Sequence, residues 1–327
     1  MNPKAVSNGG VEYPPLWFQI REKGWRGSMF STPENRDPNV VYFNPAIRYS
    51  LEGNHLFARE CTWSGHWSNM SNRIVRFDIK GNDLVNLKAV GFDKLHPTES
   101  WEDPRIFAHD DMWHIAVASW YKTGDIKVNQ TYAIISETDD AIDRKSPVFG
   151  GNGKNLFWQT GNEKNWGYFT HEGRLRFVYG ISPNHVVATI DEEGLCSHTE
   201  CPSNLAWKWD QIRGGTPPIL IDGEYVAFFH SSIPWKTIPK YGLRRRYFMG
   251  AYAFEAKPPF RITRYTPEYL LAGSEHDVMI PGSPAVVFPC GAALVDGSIV
   301  VTYGSNDCEC GWVSIPKSDL FARMITC

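Results

Sequence analysis

The sequence predicts an all-β fold, a five-bladed β-propeller that forms a single domain over residues 1–327. Helical periodicity is almost absent, no segment has the composition of an interdomain linker, and one pattern recurs five times. In each repeat a polar or small residue leads a short apolar run, a turn follows, and a second apolar run completes the unit. A spacing of roughly 50–75 residues is typical of radial β architectures with one supersecondary unit per repeat. The repeats read NPAIRYSLEGNHLFARE (44–60), DPRIFAHDDMWHIAVASW (103–120), NWGYFTHEGRLRFVYGI (165–181), TPPILIDGEYVAFFHSS (216–232) and PCGAALVDGSIVVTYGS (289–305).

Each repeat predicts a β-hairpin, because a turn lies between two runs rich in β-branched and aromatic residues. Glycine adopts positive φ without steric cost, so an acidic residue followed by glycine suits a tight turn. Such dipeptides are Glu52-Gly53, Glu172-Gly173, Asp222-Gly223 and Asp296-Gly297. The segments between the repeats are expected to supply the outer strands, most clearly 73–79, 130–136, 185–191 and 248–254.

Three further segments are interpreted from their composition. Residues 1–40 are rich in Pro, Gly and Asn, and we expect an N-terminal extension that packs on the propeller or completes its last blade. Residues 151–154 and 231–246 are predicted loops. We interpret the basic part, 236–246, as a solvated loop, with a mobile lid or an anion contact as the alternatives. Its cations are Lys236, Lys240, Arg244, Arg245 and Arg246.

The composition excludes several classes of protein. With 327 residues and a net charge of −3, the chain has no electrostatic means of binding nucleic acid or an anionic membrane. It has no run of about 18 apolar residues and no signal-peptide core, so we expect a cytoplasmic protein. Seven scattered cysteines favour reduced thiols, and Cys308 and Cys310 are too close together for a zinc knuckle. Neither a metal nor a cofactor is expected, and a homo-oligomer remains open.

In a propeller, the starts of the innermost strands meet at one mouth of a central funnel. We therefore expect five leading residues to ring that mouth: Asn44, Asp103, Asn165, Thr216 and Cys290. The ends of the return strands add Arg59, Trp120, Tyr179, His230 and Tyr303, with Asp307 just beyond. Most of these side chains are aromatic or form hydrogen bonds, which indicates a polyhydroxylated ligand such as an oligosaccharide.

The motif Glu102-Asp103-Pro104-Arg105 is the strongest local signal. Proline disfavours the α region for the residue before it, so we expect Asp103 to be extended and oriented before a ligand arrives. Arg105 follows two residues later and is expected on the same face of the strand. The alternative is that Asp-Pro only ends a turn. At the head of a repeat, we favour a functional acid.

Several motifs together resemble glycoside hydrolase family 130, a family of β-mannoside phosphorylases and mannosidases built on a five-bladed propeller. Related β-mannosyltransferase/phosphorylases that use a sugar-nucleotide donor are similar too. The resemblance covers about residues 42–315 and follows the family's order. Its motifs are NPA (44–46), Arg59, EDPR (102–105), GGTPPI (214–219), Phe-His230, YFMGAYAFEA (247–256), VFPCGA (287–292) and YGSND (303–307).

The resemblance implies an inverting reaction at a β-mannosidic linkage. Asp103 would be the proton donor, acting through a mannose hydroxyl, and inorganic phosphate would attack the anomeric carbon from the opposite face. That arrangement differs from the usual pair of protein carboxylates. The mannose would be held by Asn44, Arg59, Asp103 and Asp307, flanked by Arg105 and His230.

The chain departs from the family at the site of phosphate. Gln211 stands where the phosphorylases carry a lysine, although Arg213 follows two residues later, and an arginine expected near Tyr179 is missing. In its place the third repeat offers Glu163, Lys164 and Asn165. The substrate-binding candidates therefore include Lys164 and Asn165. The anion-binding candidates are Arg59, Arg105, Lys164, Arg213, His230 and Tyr247, whereas Glu163 is a candidate base for water.

Three hypotheses follow from these residues. The leading one is phosphorolysis or synthesis of β-mannosides with phosphate or a sugar-phosphate donor. The first alternative is a β-mannosidase that does not depend on phosphate, and the second is a sugar-binding propeller without catalysis. A protein-interaction propeller is disfavoured, because the funnel is polar and regular Trp-Asp blade signatures are absent.

Overall fold

A computed structural model describes residues 12–33, 37–50, 53–62, 70–94, 97–123, 125–149, 163–239, 242–277 and 283–327. Nearly all of their regular structure is extended. The exceptions are two short helices and one turn of 3-10 helix: α1 (Leu16–Glu22), α2 (Lys317–Ala322) and Glu275–Asp277. None of the helices in this described part is long and apolar enough to span a membrane.

The strands are arranged in five sheets, which follow the order of the chain. In the first two, each strand pairs with the next, and all pairs are antiparallel. The first sheet contains β2 (Val40–Ser50), β3 (Gly53–Thr62), β4 (Ser71–Lys80) and β5 (Asp83–Ala89). The second contains β6 (Ser100–His109), β7 (Met112–Thr123), β8 (Asp125–Ile135) and β9 (Ala141–Lys145).

The third sheet has the order β11-β12-β13-β14-β10, in which the short β10 runs parallel to β14. Its strands are β10 (Val148–Phe149), β11 (Gly167–His171), β12 (Arg174–Gly180), β13 (Asn184–Ile190) and β14 (Leu195–Pro202). The fourth sheet is built around the long pair β17 and β18. Its strands are β15 (Arg213–Gly214), β16 (Ile219–Ile221), β17 (Glu224–Ile238), β18 (Gly242–Glu255), β19 (Ile262–Tyr265), β20 (Leu271–Ala272) and β24 (Ile325–Thr326).

The fifth sheet joins both ends of the described chain, because an N-terminal strand pairs with its outer edge. Its order is β21-β22-β23-β1, with β21 (Val287–Val295), β22 (Ser298–Ser305), β23 (Glu309–Pro316) and β1 (Arg26–Met29).

The sheets succeed one another around a closed ring. Strand β2 contacts β6 on one side and β21 on the other; β6 contacts β11, β12 contacts β15, and β17 contacts β21. The inner strands of all five sheets line one shared apolar depression of about 350 Å³, to which they contribute Ile47, Phe107, Phe169, Ile219 and Ala292. These contacts confirm the predicted all-β, propeller-like architecture.

The predicted hairpin turns are confirmed where the structure describes them. The three dipeptides Glu172-Gly173, Asp222-Gly223 and Asp296-Gly297 have positive φ at both residues, as two-residue turns between twisted strands require. The second repeat makes the same turn with Asp110 and Asp111, since aspartate tolerates the left-handed region. In the first repeat Glu52 lies outside the described residues.

The four predicted outer segments are confirmed as strands, and each belongs to the third strand of its sheet: β4, β8, β13 and β18. The prediction of a loop over 231–246 is wrong. Strands β17 and β18 continue through it as a two-stranded ribbon, paired from Ser231↔Phe248 to Ile238↔Gly242. Much of this ribbon is exposed, so no buried face imposed an apolar pattern on its sequence. Residues 151–154 and Lys240 lie outside the described part.

The core lies between neighbouring sheets, and its largest cluster fills the junction of the fourth and fifth. Helix α1 inserts Leu16 and Ile20 into that cluster, and α2 adds Leu320, all three being 2% exposed or less. Fully burying one such side chain stabilises the fold by about 1.5–3 kcal/mol. The described part of residues 1–40 thus packs on this junction and extends the fifth sheet.

Candidate active site

Backbone irregularities at the start of the inner strands direct the leading side chains of the repeats. Asn44 and Asp103 both have a φ of 52°, and Asn165 has a φ of 70°. The pairing of β2 with β3 skips between Phe43 and Ala46, and that of β6 with β7 skips between Glu102 and Arg105. Such bulges leave an extra residue and reorient its side chain.

The expectation that Asp103 is extended is therefore wrong. Proline disfavours only the right-handed α region for the residue before it, and aspartate tolerates positive φ. The inserted residue also breaks the two-residue alternation, so strand alternation does not place Arg105 beside the Asp103 carboxylate. The bulge, rather than an extended conformation, orients the acid.

The Asp103 carboxylate is buried among hydrogen-bond donors. Asn44 Nδ2 donates to its Oδ1 at 2.7 Å, and Arg59 Nη1 lies 3.7 Å from the same oxygen. Burial raises the pKa of Asp103. The charges of Arg59, Lys164 and Arg105 and the hydrogen bond from Asn44 lower it by more, so the net shift is downward. Asp103 is therefore ionised at neutral pH.

Arg105 connects three repeats from a completely buried position. Its Nε donates to the Gly215 carbonyl at 2.6 Å, its Nη1 to the Asp103 carbonyl at 2.9 Å, and its Nη2 to Asn165 Oδ1 at 3.2 Å. The close approach of the GGTPPI segment to Asn165 requires a glycine at position 214, because a Cβ there would lie 2.1 Å from the Asn165 carbonyl oxygen. Arg105 thus fixes the second, third and fourth repeats to one another beside Asp103.

Arg59 lies among carboxylates. Its Nη2 is 2.7 Å from Glu102 Oε1, its Nε donates to Asn72 Oδ1 at 2.9 Å, and its guanidinium lies 4.8 Å from the Phe43 ring centroid. Glu102 and Asn72 were not predicted as site residues. Glu102 could have been predicted from its place in EDPR, but the functional interpretation of that motif rested on its aspartate and proline. Asn72 lies in an outer strand, and no sequence motif pointed to it.

Asp307 completes this acidic group at the turn after β22. It has a φ of 56°, and its pKa is raised to about 6. Burial is the main cause, and the carboxylates of Asp103 and Glu102 add to it against the opposing charges of Arg59 and Lys164. Three carboxylates thus lie near Arg59, and the single positive charge of this arginine neutralises them only in part.

His230 lies at the centre of a positive cluster. It is 3% exposed, packs on Phe288 at 4.4 Å between ring centroids, and stacks on Tyr247 at 5.9 Å. Burial, followed by the charges of Arg105, Arg213 and Lys164, lowers its pKa to about 3, so the ring is neutral. Its Nδ1 has no partner among the described residues.

Two of the cations around His230 lie at the surface. Arg213 is exposed and pairs directly opposite His230 between β15 and β17, and Lys164 is exposed beside Asn165. Within the described ranges neither forms an ion pair with a carboxylate. Tyr247 lies in the same cluster: burial raises its pKa, Asp307 raises it further, and Arg213 and Arg245 oppose the rise. Five of the predicted anion-binding residues are thus neighbours: Arg105, Lys164, Arg213, His230 and Tyr247.

Glu163 occupies the flank of the third repeat. It is 6% exposed, accepts a hydrogen bond from the Tyr179 hydroxyl at 3.3 Å, and has a pKa raised by burial. Gln211, at the position of the family's lysine, is exposed. An exposed glutamine side chain does not replace the missing charge.

Three residues expected at the mouth have structural contacts instead. Thr216 Oγ1 accepts a hydrogen bond from the Phe228 backbone at 3.0 Å, and the Cys290 thiol is fully buried against the Phe288 carbonyl. Tyr303 is fully buried in the cluster between the fourth and fifth sheets. All three side chains are buried in the protein interior.

One group in the described part of the chain has spacing compatible with a metal ion: Glu12, Glu275 and His276. Two of the three are exposed, and Glu275 also lies within ion-pair distance of Lys236 and Arg246. It belongs to the N-terminal segment and the 3-10 turn, not to the cluster around Asp103.

Known structures share this architecture. A β-1,2-mannobiose phosphorylase from Listeria innocua, solved with β-1,2-mannobiose, is 14% identical, with a TM-score of 0.62 over 89% of this chain and 94% of that one. A mannose phosphorylase from Leishmania mexicana, solved with a phosphate ion, is 12% identical, with a TM-score of 0.62 over 95% of both chains. A glycosyl hydrolase from Bacteroides ovatus is 16% identical, with a TM-score of 0.61 over 94% and 96%. At these identities the likeness concerns the fold.

No curated protein sequence matches the chain. The family model of glycoside hydrolase family 130, described as β-1,4-mannooligosaccharide phosphorylase, matches residues 18–324. That range includes the three carboxylates beside Arg59, the EDPR bulge and the cluster around His230. The chain therefore belongs to glycoside hydrolase family 130 and is an enzyme of β-mannoside phosphorolysis or hydrolysis.

Proposed function

We propose that the protein is an inverting β-mannoside phosphorylase. One observation carries the choice of phosphate over water: the neutral, buried His230 is surrounded by three cations, Arg105, Arg213 and Lys164. A dianionic phosphate requires several convergent donors, and two arginines, a lysine and a histidine supply them by charge and by hydrogen bonds. Gln211 removes one expected charge, and Lys164 is the proposed substitute.

Asn44, Arg59 and Asp307 are proposed to hold the mannosyl ring, with Asn165 and Arg105 behind it. In the reaction, a phosphate oxygen forms a bond to the anomeric carbon as the bond from that carbon to the glycosidic oxygen breaks. The Asp103 proton passes through a mannose hydroxyl to the departing oxygen, which leaves as an alcohol. The products are α-mannose 1-phosphate and the shortened sugar, and the proton on the new phosphate ester restores the Asp103 carboxyl group.

The lowered pKa of Asp103 fits this cycle. Lys164 and Arg105 contribute to lowering it, and both lie in the cluster proposed for phosphate. A bound phosphate offsets their charges, so the Asp103 pKa rises when the co-substrate arrives. Asp103 thus gains its proton when there is a nucleophile to use with it.

Product analysis tests the proposal. A β-mannooligosaccharide is incubated with the protein with and without inorganic phosphate, and α-mannose 1-phosphate and free mannose are measured. We expect mannose 1-phosphate that depends on phosphate. Free mannose released at the same rate without phosphate would contradict phosphorolysis.

Asp103→Asn is expected to lower turnover by several orders of magnitude while sparing sugar binding, whereas a sugar-binding protein without catalysis would have no turnover to lose.

Hydrolysis is the second candidate, and Glu163 is the observation that favours it. This buried carboxylate has a raised pKa and precedes Lys164, so it could accept a proton from water near the mannosyl ring. In that case Glu163→Gln abolishes the release of free mannose. In a phosphorylase the same change leaves formation of mannose 1-phosphate within a few-fold of the wild-type rate.

The remaining proposals are broader. We propose that each of the five sheets is one blade of a single propeller, as their closed ring of contacts supports. The reverse reaction, with mannose 1-phosphate or a sugar nucleotide as donor, is proposed as a synthetic activity. The chemistry needs phosphate as a co-substrate and no cofactor. The odd number of cysteines, seven at scattered spacings, supports a reducing compartment, the cytoplasm.

A further inference from the structure

We propose that Glu102 is a positioning residue that joins the two sides of the active site, holding Arg59 on the mannosyl side and the Trp120 indole on the acceptor side. The inference rests on the proposed action at β-mannosides. It gives a role to a residue of EDPR that neither donates the proton nor belongs to the positive cluster around His230.

Three donors converge on one oxygen of Glu102. Arg59 Nη2 lies 2.7 Å from Oε1, Trp120 Nε1 donates to it at 2.7 Å, and Asn72 Nδ2 donates to it at 3.2 Å. Asn72 also accepts from Arg59 Nε at 2.9 Å, so the arginine is held at two points. Hydrogen bonds to ionised groups are about twice as strong as those between neutral groups. The cluster therefore has one geometry, and Glu102 is its centre.

Trp120 differs from the other tryptophans near the site. Trp101 stacks on Phe92 at 4.8 Å and Trp166 on Phe177 at 4.5 Å, whereas no aromatic ring in the described structure packs on Trp120. It is the last residue of the second repeat, within strand β7, and is only partly buried. Its Nε1 bond to Glu102 sets the plane of the indole. An indole that is only partly buried and held in one plane suits stacking against the apolar face of a sugar ring, which here is the acceptor sugar.

Glu102 also determines how closely Arg59 approaches Asp103. Arg59 is 2.7 Å from Glu102 but 3.7 Å from Asp103. Without the Glu102 charge, Arg59 is free to move towards Asp103, and Coulomb attraction then makes that carboxyl harder to protonate. Four other groups around Asp103 keep their charge states in such a variant: Arg105, Lys164, His230 and Cys290. Asp307 and Cys61 lose the repulsion of Glu102, which lowers their pKa values.

The first test is Glu102→Gln, which keeps the shape of the side chain and removes its charge. Total mannoside turnover is measured, whether phosphate or water is the nucleophile. We expect kcat to fall roughly 10- to 100-fold, as for a misplaced catalytic group, and the alkaline limb of the kcat/KM profile to move to lower pH. Glu102→Asp, which restores the charge on a shorter side chain, is expected to bring the alkaline limb back towards its wild-type pH.

Trp120→Phe tests the acceptor side, because it keeps an aromatic ring but removes the N–H donor and part of the stacking surface. We expect KM for the oligosaccharide to rise several-fold with a small change in kcat. Glu102→Gln is expected to differ, since its main effect is on kcat. The matched control is Glu99→Gln. Glu99 is also buried and paired with an arginine, Arg144, but lies outside the Arg59 cluster. Its loss is expected to lower thermal stability and to leave the pH profile unchanged.

The proposal is overturned if Glu102→Gln has a wild-type pH profile and kcat, or if it loses only as much activity as Glu99→Gln at equal thermal stability. The nature of the wild-type products decides the proposed function separately. A wild type that turns over mannosides, combined with an unaffected Glu102 variant, therefore contradicts the positioning role alone.

Discussion

Asp103 and Asp307 lie beside the same guanidinium, Arg59, yet their pKa values shift in opposite directions. Asp103 receives a hydrogen bond from Asn44 and the charges of two further cations, Lys164 and Arg105. Asp307 receives the repulsion of two carboxylates, and burial raises its pKa to about 6. Burial and local charge thus separate the pKa values of two neighbouring carboxyl groups.

The opposite shifts predict opposite stability effects of two isosteric substitutions. A raised folded-state pKa stabilises the fold below the unfolded value, and that stability is lost as pH rises through about 6. Asp307→Asn is therefore expected to stabilise the protein at pH 7.5, by at most about 3 kcal/mol. The lowered pKa of Asp103 stabilises the fold above its ordinary range, so Asp103→Asn destabilises it at pH 7.5.

Thermal denaturation at pH 7.5 and at pH 4 or below measures both effects. At the lower pH the Asp307 carboxyl is protonated, so the difference between Asp307→Asn and the wild type should shrink. Both variants are expected to lose activity, which separates the charge effect from any functional rescue. Melting-temperature shifts of the same sign in the two variants at pH 7.5 would refute the opposed pKa values.

At the scale of elements, the bulges at the starts of the inner strands bring leading residues of different repeats together in one site. They place Asn44 against Asp103, and the close packing of β2 on β22 holds them there. A Cβ on Gly304 would lie 1.9 Å from Asn44 Oδ1 and 2.8 Å from the Asn44 nitrogen. Only a glycine leaves room for the amide that hydrogen-bonds the acid.

Gly304→Ala is expected to displace the Asn44 side chain from Asp103. Steric insertion into a packed site of this kind costs about 1–3 kcal/mol of stability, and a misplaced acid lowers kcat by up to roughly 100-fold. Gly180→Ala is the control, because its Cβ would meet nothing closer than 3.5 Å. Steady-state kinetics and urea denaturation of both variants test this, and equal behaviour would mean that Asn44 tolerates the new methyl group.

The sequence predicted elements better than it predicted contacts. Tight turns and alternating runs are local, so the hairpin dipeptides and the four outer strands followed from neighbouring residues. The ribbon formed by β17 and β18 did not, because its residues 231–246 bury no continuous apolar face. Asp103 was predicted as the acid, but its positive φ depends on the register of β7, and Asn72 reaches Glu102 from a strand 30 residues away in sequence. Such relations exist only once the sheets have packed.

At the scale of the whole molecule, the two ends of the chain seal one junction of the ring. Helix α1 and strand β1 come from the N-terminal segment, and α2 and β24 from the C-terminus. Leu16, Ile20 and Leu320 fill the space between the fourth and fifth sheets. This junction is the place where the first and last described elements must meet, so its apolar contacts maintain closure of the ring.

Leu16→Ala is therefore expected to destabilise the protein by about 2–5 kcal/mol, because it leaves a cavity in a site that is 0% exposed. The neighbouring Trp17 lies on the same helix but is 57% exposed, so Trp17→Ala should change stability by no more than about 0.5 kcal/mol. Urea denaturation gives both values. Under native conditions kcat/KM should stay at the wild-type level in both variants, because α1 contributes no residue to the cluster around Asp103. A Leu16 variant as stable as the Trp17 variant would show that the ring closes without the N-terminal helix.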